Sequence, residues 1–245
     1  MITTKFSRTL MIQSAHSDQF GQASVCSLFD FMLEAAWAHA QIMDWGYDNL
    51  QRRNEFWVLS RIYMEITQYP RWQDEITLQT WSDGADGMYA YREFSLAAAD
   101  GRSLLVANSA WLILDLATKR IVRLTDFPRH SGESICRMPQ RLRPEAPPEA
   151  LAYSPVQFSE LDINRHFNSV KSLERTLNSF DIPFLCQHEP ATVEINYLKE
   201  GLAGDAIAIS TEYIADTRTR STLIRQSDGA PVSALQIDWR DRAAQ

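Results

Sequence analysis

The chain has 245 residues, of which 45% are hydrophobic and 22% charged, and its formal net charge is −7. This length is sufficient for one large domain or two small ones with a buried core. The negative charge argues against nonspecific nucleic-acid binding over most of the surface, although it does not exclude a local basic patch. No apolar run is long enough to span a bilayer, and the first residues lack the apolar region of a signal peptide. We therefore predict a cytoplasmic protein that does not enter a membrane.

Three cysteines, Cys26, Cys136 and Cys186, lie far apart and form no CxxC pair. This spacing argues against a disulfide framework and against a structural zinc site. A buried, inert thiol is the expected state of each cysteine. No group of His, Asp and Cys has metal-ligand spacing, and no glycine-rich loop indicates a nucleotide. We predict no metal and no cofactor.

The first predicted element is a long helix over residues 24–46, where apolar side chains recur at helical spacing and Gly46 is expected to end the helix. Runs rich in β-branched and aromatic residues follow, separated by turn signals such as SDGADG. These runs are residues 56–68, 75–82, 87–99 and 103–115. One helix followed by an antiparallel sheet is an α+β unit.

The same order of elements recurs later in the chain. A short extended segment at 153–162 precedes a second predicted helix at 168–180, and four further strand-like runs follow. These runs are residues 192–199, 206–215, 220–227 and 231–239. An offset of 131 residues pairs Ile62 and Met64 with Val193 and Ile195. The pattern predicts an internal repeat of one structural unit.

A proline-rich segment separates the two halves. Residues 127–150 contain five prolines and little periodicity, which is typical of a linker between domains. We predict an N-terminal domain at 1–126, a linker at 127–150 and a C-terminal domain at 151–245, with the boundary near residue 145.

The stretch LDINRHFN, residues 161–168, carries polar side chains at every second position, namely Asp162, Asn164, His166 and Asn168. In an extended segment with Leu161, Ile163 and Phe167 facing a core, the polar side chains would share the other face. A turn followed by a helix cap is the alternative, because Asp and Asn favour both. We assign Asn168 to the cap of the second helix.

The repeat favours a functional site over a simple turn. An offset of 144 residues aligns Asp18 with Asp162, but it places Phe20 and Gln22 where Asn164 and His166 stand. A motif that only starts a helix would be kept in both copies. The amide and the imidazole are present in one copy alone.

These segments together resemble the acyl-ACP thioesterase family, plant and bacterial enzymes that release fatty acids from acyl carrier protein (ACP). The resemblance covers nearly the whole chain and rests on residues 56–81, on AWLILDLATKR, and on LDINRHFNSVK followed by INYLKE. It implies an α+β fold of two tandem hotdog domains, each a long helix wrapped by a curved antiparallel sheet. It also implies a cofactor-free hydrolase whose partner is ACP. We expect the hydrolase itself to be a monomer or a homodimer.

Residue by residue, the resemblance places the family's Asp, Asn and His on Asp162, Asn164 and His166, and its catalytic Glu on Glu200. We predict Glu200 as the general base for water, with Asn164 and His166 holding the water and the thioester carbonyl. Asp162 is expected to orient its neighbours or to share the role of base. Gly201 departs from the pattern, since many plant members have Cys there.

The acyl chain is predicted to lie in the N-terminal half, which lacks the polar set but keeps the long helix. The expected lining residues are Phe29, Met32, Leu33 and Ala36. The preferred chain length cannot be deduced from the sequence. Hydrolysis of acyl-CoA and a non-catalytic lipid-binding role are the alternatives.

Seven basic side chains lie between residues 119 and 143, against two acidic ones, Asp126 and Glu133. The basic residues are Lys119, Arg120, Arg123, Arg129, Arg137, Arg141 and Arg143. Acyl carrier proteins, as the resemblance implies, are acidic, so this cluster is a candidate docking surface. The alternative is that these side chains keep a linker soluble or pair with acidic neighbours.

Overall fold

The computed structural model describes residues 5–125, 127–130, 132–144 and 150–242. The chain divides into two compact units, Met1–Pro139 and Gln140–Gln245. The boundary predicted near residue 145 falls within 145–149, outside the described residues, so the three predicted ranges stay predictions. No helix in the described part of the chain combines the length and the apolarity needed to cross a membrane.

The first unit consists of two helices and an antiparallel sheet. Its elements are β1 (Lys5–Met11), α1 (Val25–Ile42), α2 (Tyr47–Arg52), β2 (Glu55–Ile66), β3 (Glu75–Ala85), β4 (Ala90–Ala98), β5 (Ser103–Asp115) and β6 (Ile121–Val122). The strands pair in the order β1–β3–β4–β5–β2, and β6 pairs with β5. The four predicted strands of this half are confirmed, whereas β1 was not predicted.

Helix α1 packs against β1 and β3 of the first unit. The Ser24 hydroxyl caps it by accepting a hydrogen bond from the Ser27 amide at 3.1 Å. Its buried face comprises Val25, Leu28, Phe29, Met32, Ala35, Ala36 and His39. Burial of each large apolar side chain contributes roughly 1.5–3 kcal/mol, so this face is a main source of stability.

The predicted end of this helix is wrong. Helix α1 ends at Ile42, and Gly46 is instead the N-cap residue of α2. The chain turns at Asp44, which has a left-handed backbone with φ of 63°. A Cβ at Gly46 would lie 2.8 Å from the Gln41 Cα, so the glycine permits a close return to α1.

The second unit repeats this arrangement with a shorter helix. Its elements are β7 (Ser154–Pro155), α3 (Ser169–Leu177), α4 (Ile182–Gln187), β8 (His188–Tyr197), β9 (Ala206–Ala215), β10 (Arg218–Arg225) and β11 (Pro231–Asp241). The strands pair in the order β8–β11–β10–β9–β7. The helix predicted at 168–180 is shorter in the structure, where α3 has nine residues and ends before the C-cap residue Asn178. A separate helix, α4, then begins after its N-cap residue Asp181.

The internal repeat is confirmed by strand register. Leu10 and Met11 of β1 pair with Ile76 and Glu75 of β3. The same offsets place Ser154 and Pro155 of β7 against Ile207 and Ala206 of β9.

The described part of the predicted linker is held against the sheets. In the first unit, the Ser134 hydroxyl and the Ile135 amide donate to the buried Glu93 carboxylate. In the second unit, the Leu142 amide donates to Asn196 Oδ1 at 2.9 Å. Buried carboxylates and amides need such partners, so these contacts fix the course of the segment.

Candidate active site

The segment 161–168 is a tight loop, and the extended conformation considered from the sequence is wrong. Asp162 Oδ1 accepts hydrogen bonds from the Asn164 and His166 amides, each at 2.9 Å, and the Asp162 amide donates to the His166 carbonyl. Ile163, expected to face a core, is 73% exposed. The reason is that an Asp side chain that binds the amides two and four residues on curls the backbone.

The first unit contains the same loop. Asp18 Oδ1 accepts hydrogen bonds from the Phe20 and Gln22 amides at 2.9 and 3.1 Å. Gly21 has a left-handed φ of 68°, and its counterpart Arg165 has a φ of 63°. The aspartate is thus part of the fold in both copies.

The loop of the second unit lies beside the turn after β8. The Phe167 amide donates to the Gly201 carbonyl at 2.7 Å, and His166 forms a β-bridge with Leu202. These contacts bring His166 Nε2 to 3.7 Å from Glu200 Oε2. The two side chains are 23% and 36% exposed, so water reaches both.

Glu200 is held by an arginine that the sequence did not indicate. Arg225 Nη1 donates to the Glu200 carbonyl at 2.8 Å, and Arg225 Nη2 lies 2.9 Å from Asp228 Oδ2. The Arg225 guanidinium lowers the pKa of Asp228 below its usual range, and the Asp228 carboxylate raises the pKa of Arg225. The turn that carries Glu200 is therefore fixed to β10.

Not all of the predicted site residues meet. His166 and Glu200 are adjacent, and Asp162 holds the loop amides beneath them. Asn164 is exposed at the tip of the loop, where its side chain makes no hydrogen bond to the part of the chain that the structure describes. Its role in substrate binding stays a prediction.

Gly201 fits closely against the loop. A Cβ at this position would lie 2.9 Å from the Phe167 Cβ, which is closer than two carbon atoms can pack. A cysteine there, as the resemblance gives for many plant members, would require the loop or the turn to shift.

The predicted acyl-chain residues lie on α1. Phe29, Met32 and Ala36 are buried and Leu33 is half-buried. On the same buried face, His39 Nδ1 lies 2.9 Å from Arg92 Nη1. Burial lowers the pKa of Arg92 to about 10. The assignment of these residues to an acyl-chain site stays a prediction.

The arrangement can perform acid–base chemistry. A carboxylate can take a proton from water, and an adjacent imidazole can donate a hydrogen bond to an oxygen. Within the described ranges, no group of three or more His, Cys, Asp or Glu side chains could hold a metal ion.

The family assignment follows from two sequence matches. Residues 3–128 match the acyl-ACP thioesterase N-terminal domain, and residues 147–241 match the acyl-ACP thioesterase C-terminal domain. The chain belongs to the acyl-ACP thioesterase family. The family predicted from the sequence is therefore confirmed.

Two relatives illustrate the similarity of this family member to plant proteins. It is 25% identical over 270 residues to the chloroplastic palmitoyl-acyl carrier protein thioesterase of Gossypium hirsutum, covering 98% of this chain and 64% of that protein. It is 25% identical over 242 residues to the chloroplastic oleoyl-acyl carrier protein thioesterase of Coriandrum sativum, covering 87% and 64%. The chain thus spans 64% of the length of each of these relatives, which is less than two thirds.

Solved structures show the fold of this acyl-ACP thioesterase family member. An acyl-ACP thioesterase from Bacteroides thetaiotaomicron superposes with a TM-score of 0.88 at 22% identity, over 97% of this chain and 98% of that one. A 12:0-ACP thioesterase from Umbellularia californica gives 0.85 at 18% identity, over 99% of each chain. The predicted α+β fold of two tandem hotdog units is confirmed.

Proposed function

We propose that the protein hydrolyses fatty acyl-ACP thioesters to a free fatty acid and ACP. The observation that carries this proposal is the pairing of His166 with Glu200 at 3.7 Å, within reach of water, in a member of this family. The names of the relatives from Gossypium hirsutum and Coriandrum sativum, both acyl carrier protein thioesterases, support the substrate class.

The reaction needs an activated water and donors for the oxyanion. Glu200 takes a proton from water, and the water oxygen attacks the thioester carbonyl. His166 Nε2–H and the Asn164 side-chain Nδ2–H donate hydrogen bonds to the oxyanion that develops. The carbon–sulfur bond then breaks, and Glu200 returns the proton to the sulfur. A thiol with a pKa of about 8.5 leaves readily, so little acid assistance is required.

A panel of acyl-ACPs of different chain length tests the proposal, with release of free thiol and fatty acid as the readout. The same acyl chains on coenzyme A form the comparison. Hydrolysis of acyl-ACP with a higher kcat/KM than of acyl-CoA is the expected result. Preference for acyl-CoA would favour the alternative substrate, and binding of both thioesters without turnover would favour a lipid-binding protein.

No cysteine is expected to act as a nucleophile. Cys136 is buried, which raises the pKa of its thiol to about 12, and only a thiolate attacks a thioester efficiently. Replacing Cys26, Cys136 and Cys186 by Ser, one at a time, should leave kcat unchanged. Loss of turnover in a folded variant, with an acyl adduct found by mass spectrometry on the wild type, would contradict this expectation.

Changes on the buried face of α1 are expected to shift the preferred acyl length. Enlarging Ala36 to Leu should favour shorter chains, and reducing Met32 or Phe29 to Ala should favour longer ones, because an acyl chain competes with side-chain volume. The measurement is kcat/KM across the acyl-ACP panel. Leu173 of α3, also fully buried, supplies the control Leu173→Ala. A shift in chain length with Leu173→Ala alone would contradict the assignment.

The basic cluster is expected to steer ACP. Reversing Arg137, Arg141 and Arg143 to Glu should raise KM for acyl-ACP far more than KM for a small acyl thioester. The wild-type kcat/KM for acyl-ACP should fall as salt rises, since screening shortens to about 8 Å at physiological ionic strength. Arg129 is not reversed, because its Nε lies 3.4 Å from Asp83 Oδ1 and its charge is already partly compensated. Asp126, the acidic residue nearest to Arg129 in the sequence of the cluster, lies outside the described residues.

A control with the same change in net charge reverses Arg8, Arg52 and Arg71, which are exposed and lie outside the cluster. Equal effects of the two triple variants on KM for acyl-ACP would show that the cluster does not dock the carrier. The cytoplasmic location and the choice between monomer and homodimer stay predictions.

A further inference from the structure

A partly buried ion pair closes the loop of the second unit. Arg175 of α3 donates from Nε to Glu160 Oε1 at 2.7 Å and from Nη2 to Glu160 Oε2 at 2.5 Å. The two side chains are only 12% and 14% exposed. The Arg175 hydrogen bonds lower the pKa of Glu160, so the carboxylate is ionised at neutral pH.

The Arg175 guanidinium uses all five of its N–H groups. Besides the two bonds to Glu160, Nη2 donates to the Pro155 carbonyl at 2.7 Å. Nη1 donates to the Ser154 hydroxyl at 3.0 Å and to the Ser154 carbonyl at 3.3 Å. A planar fork with every donor occupied has little freedom to move.

The pair touches both ends of the loop that carries His166. The Glu160 carbonyl accepts a hydrogen bond from the Asn168 amide at 2.8 Å. The Arg175 guanidinium carbon lies 5.2 Å from the centre of the Phe167 ring, a cation–π contact. Phe167 follows His166 and its amide binds the Gly201 carbonyl beside Glu200. His166 is therefore next to Phe167, which contacts Arg175. Glu200 is next to Gly201, whose carbonyl binds the Phe167 amide.

The first unit closes its loop without an ion pair. His16 and Phe31 occupy the positions of Glu160 and Arg175 at the offset of 144 residues. His16 Nδ1 accepts a hydrogen bond from the Gln13 amide, and in the second unit the Glu160 carboxylate accepts one from the Gln157 amide. The His16 carbonyl accepts from the Ser24 amide, as the Glu160 carbonyl accepts from the Asn168 amide. The His16 and Phe31 rings meet edge to face at 4.8 Å. The loop therefore folds with two rings in place of the two charges.

We propose that Glu160 and Arg175 are positioning residues that hold His166 against Glu200, an inference that rests on the thioester hydrolysis proposed above. The first unit shows that the fold does not require this ion pair, and only the unit that carries the His–Glu pair has it. A displacement of about 1 Å at a reacting group costs about a hundredfold in rate. A bidentate fork restrains the loop more tightly than a contact between two rings.

The test replaces Glu160 and Arg175 by the residues that the first unit has at the corresponding positions. In the double variant Glu160→His with Arg175→Phe, the folded structure should be kept, because this residue pair already closes the corresponding loop of the first unit, in which Ala23 stands where the second unit has Phe167. We expect kcat to fall at least about tenfold, while KM changes by less than about threefold. KM is spared because the residues predicted to bind the acyl chain and the carrier are untouched. Glu174→Gln, which breaks the partly buried Lys171–Glu174 pair on the same helix, is the control and should leave kcat unchanged.

A purely structural role of the ion pair predicts a different result. A folded double variant with wild-type kcat would overturn the proposal, and so would a change in KM as large as the change in kcat. If the double variant does not fold, Arg175→Lys serves instead, because lysine keeps the charge but lacks the planar fork. A loss of kcat of at least about fivefold at unchanged KM would support the proposal, and wild-type kcat would overturn it.

Hydrogen exchange provides a readout that does not depend on catalysis. The Asn164 and His166 amides should exchange at least about tenfold faster in the double variant, with the amides of β10 unchanged. Unchanged exchange in the loop would overturn the proposal. A wild-type protein that hydrolyses no thioester would refute the proposed function alone, and loop exchange would then decide whether the ion pair restrains the loop.

Discussion

Glu200→Gln is expected to lower kcat for acyl-ACP hydrolysis by at least about a hundredfold, the usual effect of removing an acid–base group. Glutamine keeps the size of the side chain but cannot take a proton from water. Arg225 holds the turn through the backbone carbonyl of this residue, a contact that glutamine keeps. Steady-state kinetics with acyl-ACP measure the loss, and the melting temperature should stay close to that of the wild type.

His166→Ala is expected to produce a loss of similar size, since the imidazole Nε2 lies 3.7 Å from the Glu200 carboxylate. Two matched controls exist in the same unit. Glu174→Gln changes a carboxylate of similar exposure on α3, and His188→Ala removes an imidazole that is 26% exposed. Near-normal turnover in a folded Glu200→Gln protein would exclude Glu200 as the base and transfer that role to Asp162.

Asp162 is expected to respond differently to Asn and to Ala. Asn keeps the oxygen that accepts from the Asn164 and His166 amides, so kcat of Asp162→Asn should stay within about tenfold of the wild type. Ala leaves both amides without that acceptor. The exposed Asn164 amide can bind water instead, so the cost of about 1–3 kcal/mol falls on the part-buried His166 amide. The loop then loosens, His166 moves from Glu200, and kcat should fall by at least about a hundredfold. Kinetics and urea unfolding together measure the two effects.

The first unit supplies the control for this comparison. Asp18 makes the same two hydrogen bonds in a loop that lacks the His–Glu pair. Asp18→Ala should therefore lower the free energy of unfolding by a similar amount and leave kcat unchanged well below the melting temperature. If Asp162→Asn abolished turnover in a folded protein, Asp162 would be a proton acceptor and not only a loop residue.

Strands could be predicted from the sequence where apolar runs are bounded by turn signals. The predicted ranges 103–115 and 206–215 coincide with β5 and β9, because both are rich in apolar and β-branched residues and follow Gly-containing turns. Strand β1 was missed because it has no fully buried residue and pairs with β3 alone. A strand with both faces partly exposed carries no clear alternation of apolar and polar residues.

The site could be predicted only in part. The contrast between Asp18–Gln22 and Asp162–His166 indicated the loop that lies beside Glu200, but not its conformation. The role of an Asp depends on which backbone amides curl around it, and alternation of polar residues is compatible with a strand or a turn. The contact between Arg225 and Glu200 links residues 25 positions apart through the sheet, which no local pattern encodes. The ion pair of Glu160 and Arg175 could have been predicted from the sequence. At the offset of 144 residues the first unit has His16 and Phe31 at these positions, so the two charges occur in one copy of the repeat.

Direct attack of water on the thioester can be measured in a single turnover of acyl-ACP in ¹⁸O-labelled water, with mass spectrometry of both the fatty acid and the protein. If Glu200 activates water for direct attack, the fatty acid gains one labelled oxygen and the protein gains neither label nor acyl group. An acyl adduct on the protein, or labelled oxygen in the peptide that contains Glu200, would show that a side chain attacks the thioester and would contradict the account.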